Sequence, residues 1–468
     1  MKRTETFLLL SGLYLGSMTG SATAAEYYSD ILPLVEQNCL TCHSESGVSF
    51  SFENPEVTYS FRVAMSSAVA DDRMPPWLAE RGHKDYVDDY SLTNDEKAIF
   101  AEWANAGYPR DAEQQKSHQA TLVANPVVFD SDFSVELNAG RSYLPKQDMK
   151  DEYRCFIVDW PYEADKYVTG FKAEPGNLRI AHHLVNYAVG PESADLIREL
   201  SAEEEGDGHQ CFGGPLPDRM ADEEERAKFE ERHPGGWDQL RKDNFWLSHW
   251  APGMAGFEFP EDTGVLMKPG SVVVVQMHYY SAFAPGESDQ GSKMYFQVAD
   301  TVEKPSVNFP LTKQAWLVSR RNKTMLISEG GQSTYQFSRT FENIRNYAAR
   351  ALQIDKSEVA AVELRSANVH MHAYGASGNT SLVDSDGRKQ MLLNIPRWDL
   401  NWQRDFTFAD AIRIDQEKLD STTLVVECTF SNYSDKLVYG GWGSDDEMCI
   451  NFSYVSLVLK ENETVAAR

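Results

Sequence analysis

From Pro126 onward the chain is written in short β-rich runs, and that texture restricts its fold more than any other feature. "YRCFIVDW", "KYVTGFKAE", "HHLVNYAV", "SVVVVQMHYYS", "TLVVECTF" and "INFSYVSLVL" are of strand length and rich in β-branched and aromatic residues. Turn dipeptides separate them: Pro175-Gly176, Pro252-Gly253, Pro269-Gly270 and Asp386-Gly387. The spacing predicts antiparallel sheets, and a stretch of about 340 residues holds two β-sandwiches of jelly-roll type. We place them at residues 126–300 and 301–468. Between the runs, "ADEEERAKFEERHPGGWDQLRKD" reads as a charged helical insertion on the solvated surface.

Histidine marks where chemistry sits in this β region. Of eleven, five stand in strand-like contexts: His182, His183, His278, His370 and His372. In "NVHMHAYG" the two-residue spacing puts His370 and His372 on one face of a strand, where they can share an ion. Adjacent His182 and His183 would face opposite ways in a regular strand, so joint ligation there needs a twist or a strand end. A lone histidine is more often a hydrogen-bonded core residue, but five in three clusters fit that reading poorly. As metal sites they make two sets, one of three imidazoles and one of two imidazoles with a further donor. His83, His118, His209 and His233 lie in polar surroundings and read as surface groups. His249, in "SHWAPG", reads as structural, with a place lining a cleft as the alternative.

Six cysteines fall into three pairs. The opening "MKRTETFLLLSGLYLGSMTGSATAAE" has a basic start, an apolar stretch and a small-residue site at Ala22-Thr23-Ala24, which predicts a secretory signal over residues 1–24. In an exported chain Cys155, Cys211, Cys428 and Cys449 read as two disulfides. Sequence does not fix their connectivity, and nearest-in-chain pairing is taken as an assumption. A Cys428–Cys449 bridge would clamp the residue beside Met448 in "GGWGSDDEMCINF". Two imidazoles and a thioether describe a copper site, because soft sulfur stabilises Cu(I). Met448 is therefore assigned as a ligand in preference to core filling.

The order His182-His183, "QMHY", "HMHAYG" and "GGWGSDDEMCINF" resembles the copper type II ascorbate-dependent monooxygenases, the family of peptidylglycine α-hydroxylating and dopamine β-monooxygenase. The resemblance covers roughly residues 126–468. It implies two sandwiches, each holding one copper across an open cleft. It implies that His182, His183 and His278 hold an electron-transfer copper, and that His370, His372 and Met448 hold the oxygen-binding, catalytic copper. It further implies that Cys155–Cys211 braces the first sandwich. There are departures. Amidating members carry an arginine two residues before the His-x-His pair, where this chain has Asn368, and "INF" after Met448-Cys449 is closer to the dopamine-hydroxylating branch. The substrate is therefore not borrowed from either named enzyme.

Ahead of the β region, "CLTCH" is the attachment signature for a c-type haem: Cys39 and Cys42 bond the vinyl groups and His43 is the proximal iron ligand. A chance match or half a zinc site is the competing reading. An apolar helix through Ile31, Leu34 and Val35, the secretory leader and the lack of a second cysteine pair favour haem. The sixth ligand is assigned to Met74 in "DDRMPPW", with Met65 or His83 as fallback; Met65 lies on a helix face and reads as core. Thr93 caps a closing helix, with Glu96 completing the box and Ile99, Phe100 and Trp103 on its apolar face. Residues 25–110 thus resemble a small all-α class I cytochrome c, and residues 111–125 read as a linker.

A formal net charge of −27 argues against nucleic acid and anionic membranes as partners, and no later run approaches the length of a membrane span. The combined expectation is a periplasmic or secreted copper-dependent monooxygenase with two coppers and one covalent haem c. It would insert oxygen from O₂ into a C–H bond of a small organic substrate. The haem would replace ascorbate, docking near His182, His183 and His278, with a periplasmic electron donor as a further partner. The rivals are a non-catalytic copper and haem electron carrier on the same scaffold, and a two-copper enzyme that oxidises or reduces a small molecule without hydroxylation.

Overall fold

The computed structural model describes residues 24–40, 42–44, 49–87, 89–111, 129–211, 213–250, 254, 256–282, 284–443 and 445–460, apart from the side chain of Asn401. Nearly all of the expected leader, most of the expected linker and His118 lie outside the described residues. The chain divides into two compact units: Met1–Leu40, Ser51–Pro75 and Leu92–Ala124 form one, and Thr41–Phe50, Pro76–Ser91 and Asn125–Arg468 the other.

The smaller unit is helical, with α1 (Leu32–Asn38), α2 (Pro55–Ser60), α3 (Arg62–Ala70) and α4 (Asn94–Asn105). Thr93 and Glu96 close the capping box that starts α4. Its apolar face delivers Phe100 and Trp103 to a core shared with Tyr27, Ile31, Val35 and Met65. Met65 is core, in keeping with its position on a helix face. Met74 follows α3, and its backbone N–H donates to the Ala68 carbonyl at 3.2 Å.

The larger unit is mostly β. Its first half carries β1 (Phe133–Glu136), β2 (Asp151–Asp159), β3 (Lys166–Glu174), β4 (Ala181–Val189) and β5 (His209–Gln210). There follow β6 (Asn244–Trp250), β7 (Phe257–Glu258), β8 (Thr263–Met267), β9 (Val272–Tyr280) and β10 (Lys293–Ala299). Its second half carries β11 (Lys304–Thr312), β12 (Leu326–Ile327), β13 (Gln332–Thr340), β14 (Val359–Ala367) and β15 (Gly375–Val383). The last five are β16 (Lys389–Ile395), β17 (Phe406–Asp415), β18 (Thr423–Ser431), β19 (Val438–Tyr439) and β20 (Ile450–Leu459).

A five-stranded sheet, β5-β2-β9-β4-β6, and a four-stranded sheet, β13-β18-β15-β16, belong one to each half. A nine-stranded sheet runs through both in the order β1-β10-β3-β8-β11-β20-β14-β17, with β7 beside β3. This layering is consistent with β-sandwich domains, but the two halves share a sheet. The join is the two-residue parallel pairing of β8 with β11, Lys304 opposite Thr263 and Pro305 opposite Gly264. The described pairings between strands are otherwise antiparallel.

Strand β9 is buried on both faces, which explains its unbroken apolar run. Val273, Val275, Met277 and Tyr279 enter the core between the sheets. Val272 and Val274 face the other way, against Ile197 and Leu200 of α5 (Ala194–Ala202), Phe229 of α6 (Glu223–Arg232) and Leu240 of α7 (Gly236–Lys242). The charged insertion is therefore helical as expected, yet it covers a sheet face and is not merely a solvated element.

Two stretches inside 25–110 group with the larger unit, so that segment is not one contact unit. The reason lies in sheet edges. Glu80 N–H donates to the Asn394 carbonyl at 2.8 Å, Val87 N–H to Thr407 at 2.8 Å, and Ala409 N–H to Asp85 at 2.9 Å. Tyr86 stacks on Phe408 with ring centroids 6.0 Å apart, and its hydroxyl donates to the Leu392 carbonyl at 2.8 Å. Residues 76–91 thereby cover the edges of β16 and β17, whose unpaired backbone groups would otherwise invite association. Among the described residues no helix is long and apolar enough to cross a membrane.

Candidate metal centre

The first histidine group is set by a bulge. On β4 and β9, Ala181 lies opposite Tyr279 and His183 opposite His278, so His182 is the extra residue. The bulge lets adjacent histidines converge where a regular strand would part them. Nδ1 of His183 stands 3.1 Å from Nδ1 of His182 and 3.3 Å from Nδ1 of His278. One ligand nitrogen from each of the three rings lies within 4.8 Å of the others. His278 continues the face of β9 that holds Val272 and Val274. Its Nε2–H donates to Asp151 Oδ1 at 2.9 Å, which leaves Nδ1 as the lone pair facing the cluster. Tyr153 stacks on the His278 ring at 4.1 Å.

The second group rests on a two-residue antiparallel bridge. His370 N–H donates to the Ile450 carbonyl at 2.7 Å, and Ile450 N–H returns a bond to His370 at 3.1 Å. That pairing holds the segment after β14 against the residues that enter β20, two positions past Met448. His370 Nδ1 donates to Gln403 Oε1 at 2.5 Å, and His372 Nδ1 donates to the Asp446 carbonyl at 2.9 Å. Because both acceptors are oxygen, each Nδ1 carries the proton and each Nε2 is free to bind a metal. The two rings are 5.3 Å apart and nearly perpendicular. Met448 is 4% exposed and packs with Leu317 and Ile450, with Trp442 and Phe452 against them. Disulfide Cys428–Cys449 ties β18 to the residue after Met448, and Cys155–Cys211 ties β2 to the residue after β5.

Glu447 braces this segment. Its buried carboxylate accepts from His372 N–H at 2.8 Å, Tyr374 N–H at 2.5 Å and Met448 N–H at 3.3 Å. Gly375 permits a close approach here: an added Cβ would sit 2.5 Å from Cδ1 of Trp398, whose Nε1–H donates to the His372 carbonyl at 3.1 Å.

Burial makes the five rings poor bases. It pushes His182 down to about 4, helped by His278, and His370 down to about 3, helped by His372. Burial lowers His183 strongly, and His278, His182, His370 and His372 add to it. His278 and His372 are lowered by burial against the pull of Asp151 and the Asp446 carbonyl respectively. All five are neutral near pH 7, and the two groups feel each other's charge. Neutral imidazoles with converging nitrogens, as in the first group, are the donor set that a d-block ion takes.

Asn368 is buried, and its Nδ2 donates to the Arg404 carbonyl and to Asp405 Oδ1, both at 2.9 Å. His249 Nε2 lies 3.5 Å from Asp405 Oδ2, and Trp246 Nε1 lies 3.4 Å from His249 Nδ1. The Phe452 ring stands 6.0 Å from both His249 and His370. His249 is thus linked to the second group through the Phe452 ring.

Cys39 and Cys42 are half-buried and outside both disulfides. His43 is buried, and its Nδ1 donates to the Phe50 carbonyl at 2.9 Å. Burial pushes the Cys42 thiol up while the Arg404 guanidinium draws it down.

Of the histidines read as surface groups, His83 meets Glu80 at 2.9 Å and His233 meets Glu199 at 2.9 Å, both partly exposed. His209 is the correction: it is fully buried, with Nδ1 2.9 Å from Ser201 Oγ and Nε2 2.9 Å from the Pro215 carbonyl. It also lies with Cys155 and Cys211, but their sulfurs are spent in the disulfide, so no metal site forms there. Sequence reasoning missed Asp151, Gln403 and Glu447. Only Glu447, beside Met448, carries a local signal.

A family model described as "Copper type II ascorbate-dependent monooxygenase, C-terminal domain" matches residues 341–461. That span holds His370, His372 and Met448, and the match suggests a copper-dependent monooxygenase using O₂ and an organic substrate. It does not reach His182, His183 or His278. No curated protein matches the chain. Among solved structures, that of infectious bursal disease virus Gx strain is 10% identical, covers 68% of this chain and 72% of its own, and has a TM-score of 0.18. PNGF-II is 8% identical, covering 71% and 62%, with a TM-score of 0.23. The major capsid protein P2 from Bacteriophage PM2 is 8% identical, covering 67% and 99%, with a TM-score of 0.21. Likenesses this slight carry no argument.

The buried histidines make a pH prediction. His209 titrates at about 4 in the fold because of burial, against an ordinary value of 6.5. The unfolded state therefore binds more protons between those values, and stability is lost as pH falls from about 6.5 toward 4. This one group costs about 3 kcal/mol by pH 4. Urea unfolding across that range should show the loss, and His209→Gln should flatten it. Identical pH slopes for the two proteins would contradict the prediction.

Proposed function

We propose that the chain is a periplasmic copper-dependent monooxygenase that hydroxylates a C–H bond of a small organic molecule with O₂ and draws electrons through a covalent haem c. One observation carries the proposal. The family match lies within the second half, at residues 341–461, yet the unmatched first half independently brings three imidazole nitrogens within 4.8 Å of one another. A chain with one metal site would have no use for that cluster, whereas a two-copper monooxygenase needs it.

In this reading His182, His183 and His278 hold one copper through Nδ1, and His370 and His372 hold the other through Nε2, with the Met448 thioether. Copper, when bound, supplies reversible one-electron chemistry and activation of O₂. The protein's part is orientation. Asp151 fixes the tautomer of His278; Gln403 and the Asp446 carbonyl fix those of His370 and His372. Burial keeps the rings neutral, so no proton must leave before a metal binds. Trp246, His249 and Phe452 present an aromatic wall beside His370.

Cys39 and Cys42 would bond the haem, with His43 and Met74 as axial ligands. The secretory leader at 1–24 and two disulfides suit an oxidising compartment. In this reading the functional segments are 25–110, 111–125, 126–300 and 301–468, although residues 41–50 and 76–91 group with the larger unit and the two β segments share a sheet.

Asn368 argues about the substrate. Its amide N–H groups are spent on Arg404 and Asp405, and an amide cannot clamp a carboxylate as a guanidinium does. The substrate is accordingly not a glycine-extended peptide. Efficient amidation of such peptides would contradict this.

Purified mature protein should hold two coppers and one haem, the latter as added mass on a peptide containing Cys39 and Cys42. Met448→Ala should lower Cu(I) affinity at one site at least tenfold, about 1.4 kcal/mol, and abolish oxygenation with the haem spectrum unchanged. Wild-type Cu(I) affinity and turnover in Met448→Ala would return Met448 to the core.

A further inference from the structure

The loop that leads into Met448 is held at its base by its own half and at its tip by the other. At the base, Gly441 N–H donates to the Glu447 carbonyl at 2.9 Å, and Glu447 N–H donates to the Tyr439 carbonyl at 2.9 Å. At the tip, the Trp442 indole lies over Gly213 of the first half. A Cβ added to Gly213 would stand 2.7 Å from Cε2 and 3.0 Å from Cδ2 of that ring. Asp445 Oδ1 also accepts from Lys150 Nζ at 2.8 Å, but this ion pair is open to solvent and contributes little. The indole is the contact that matters.

The surface under the indole is fixed. Gly213 has a φ of 79°, where a side chain would be strained as well as blocked by the ring. Two residues earlier, Cys211 is tied to Cys155 of β2, and one residue later the Gly214 carbonyl accepts from Gln276 Nε2 at 3.0 Å. Gln276 stands on β9 two positions before His278 and shares its face. On its other side, Trp442 packs against the cluster of Leu317, Met448 and Ile450. A run of packed groups thus joins the support of the first histidine group to the thioether of the second. That thioether needs such a contact: backbone hydrogen bonds fix residues 447 and 450, whereas a methionine side chain keeps three rotatable bonds.

We propose that Trp442 is a positioning residue: seated on Gly213, it holds the Met448 side chain in place, so that the first half sets the third donor of the second group. The proposal rests on the reading of Met448 as a copper ligand. Its consequence is that neither half builds the C-terminal centre alone.

The test uses the full chain in two arms, with far-UV circular dichroism to show that each variant is folded. In metal-free protein Met448 is 4% exposed, so peroxide should oxidise it slowly. Peptide mapping should find sulfoxide at Met448 forming about tenfold faster in Trp442→Ala and near the wild-type rate in Trp442→Phe, which keeps a ring on Gly213. In Cu(I)-loaded protein, X-ray absorption of the wild type should include a sulfur contribution. Trp442→Ala should lose most of it and keep the nitrogen contribution, and Trp442→Phe should restore it. Gly213→Ala, which displaces the indole from below, decides the matter if Trp442→Ala does not accumulate. A wild-type sulfoxide rate or undiminished sulfur scattering in Trp442→Ala overturns the proposal. Absence of sulfur scattering from the wild-type protein would instead remove Met448 as a ligand, which separates failure of that reading from failure of this one.

Discussion

The exchange of two backbone hydrogen bonds between His370 and Ile450 is the constraint on which the candidate centre depends. Strand β20 is held on one side by β11 and on the other by β14, so the residues entering it have little freedom. Pairing His370 to its first residue gives the His-x-His segment the same rigidity. Met448, Cys449 and Glu447 then arrive at fixed places, and the Cys428–Cys449 disulfide anchors that approach to the other sheet. Further along, Tyr454 of β20 enters the core of the first half and donates to Thr263 Oγ1 at 3.1 Å. One strand thus packs into the cores of both halves.

The electrostatics follow from this packing. Five imidazoles are kept neutral chiefly by desolvation, and a proton on one group disfavours a proton on the other. Such a pair of sites is intolerant of cationic rings and receptive to metal. The oxygen partners at Asp151, Gln403 and Asp446 decide which nitrogen each ring offers. They do so differently in the two groups: Nδ1 is left open on His278, and Nε2 on His370 and His372.

Much of this was legible in the sequence because it rests on short-range rules. The spacing singled out His370 and His372, although they lie in the segment after β14 and not on a strand face as expected, and the need for a twist at His182-His183 is met by a bulge. The nearest-in-chain disulfide pairing, assumed at the outset, is the one observed. What escaped is long-range. Gln403 reaches His370 across 33 positions, and Asp151 reaches His278 across 127. His209 looks like a surface residue among "EEEGDGHQC", yet a two-residue strand paired with β2 carries it inside. Neither the sheet shared by both halves nor the strap of residues 76–91 has a local signature. Each arises from edge strands seeking partners, and the partner's distance in sequence is invisible to periodicity.

The central claim is that this scaffold inserts an oxygen atom. Incubating copper- and haem-loaded protein with ¹⁸O₂, a reductant and a panel of small organic molecules tests it most directly. The account predicts a product heavier by one ¹⁸O atom, formed with one O₂ consumed and two electrons taken up. Oxygen consumption with no label in any product, or oxidation of a substrate with only solvent oxygen incorporated, would contradict it.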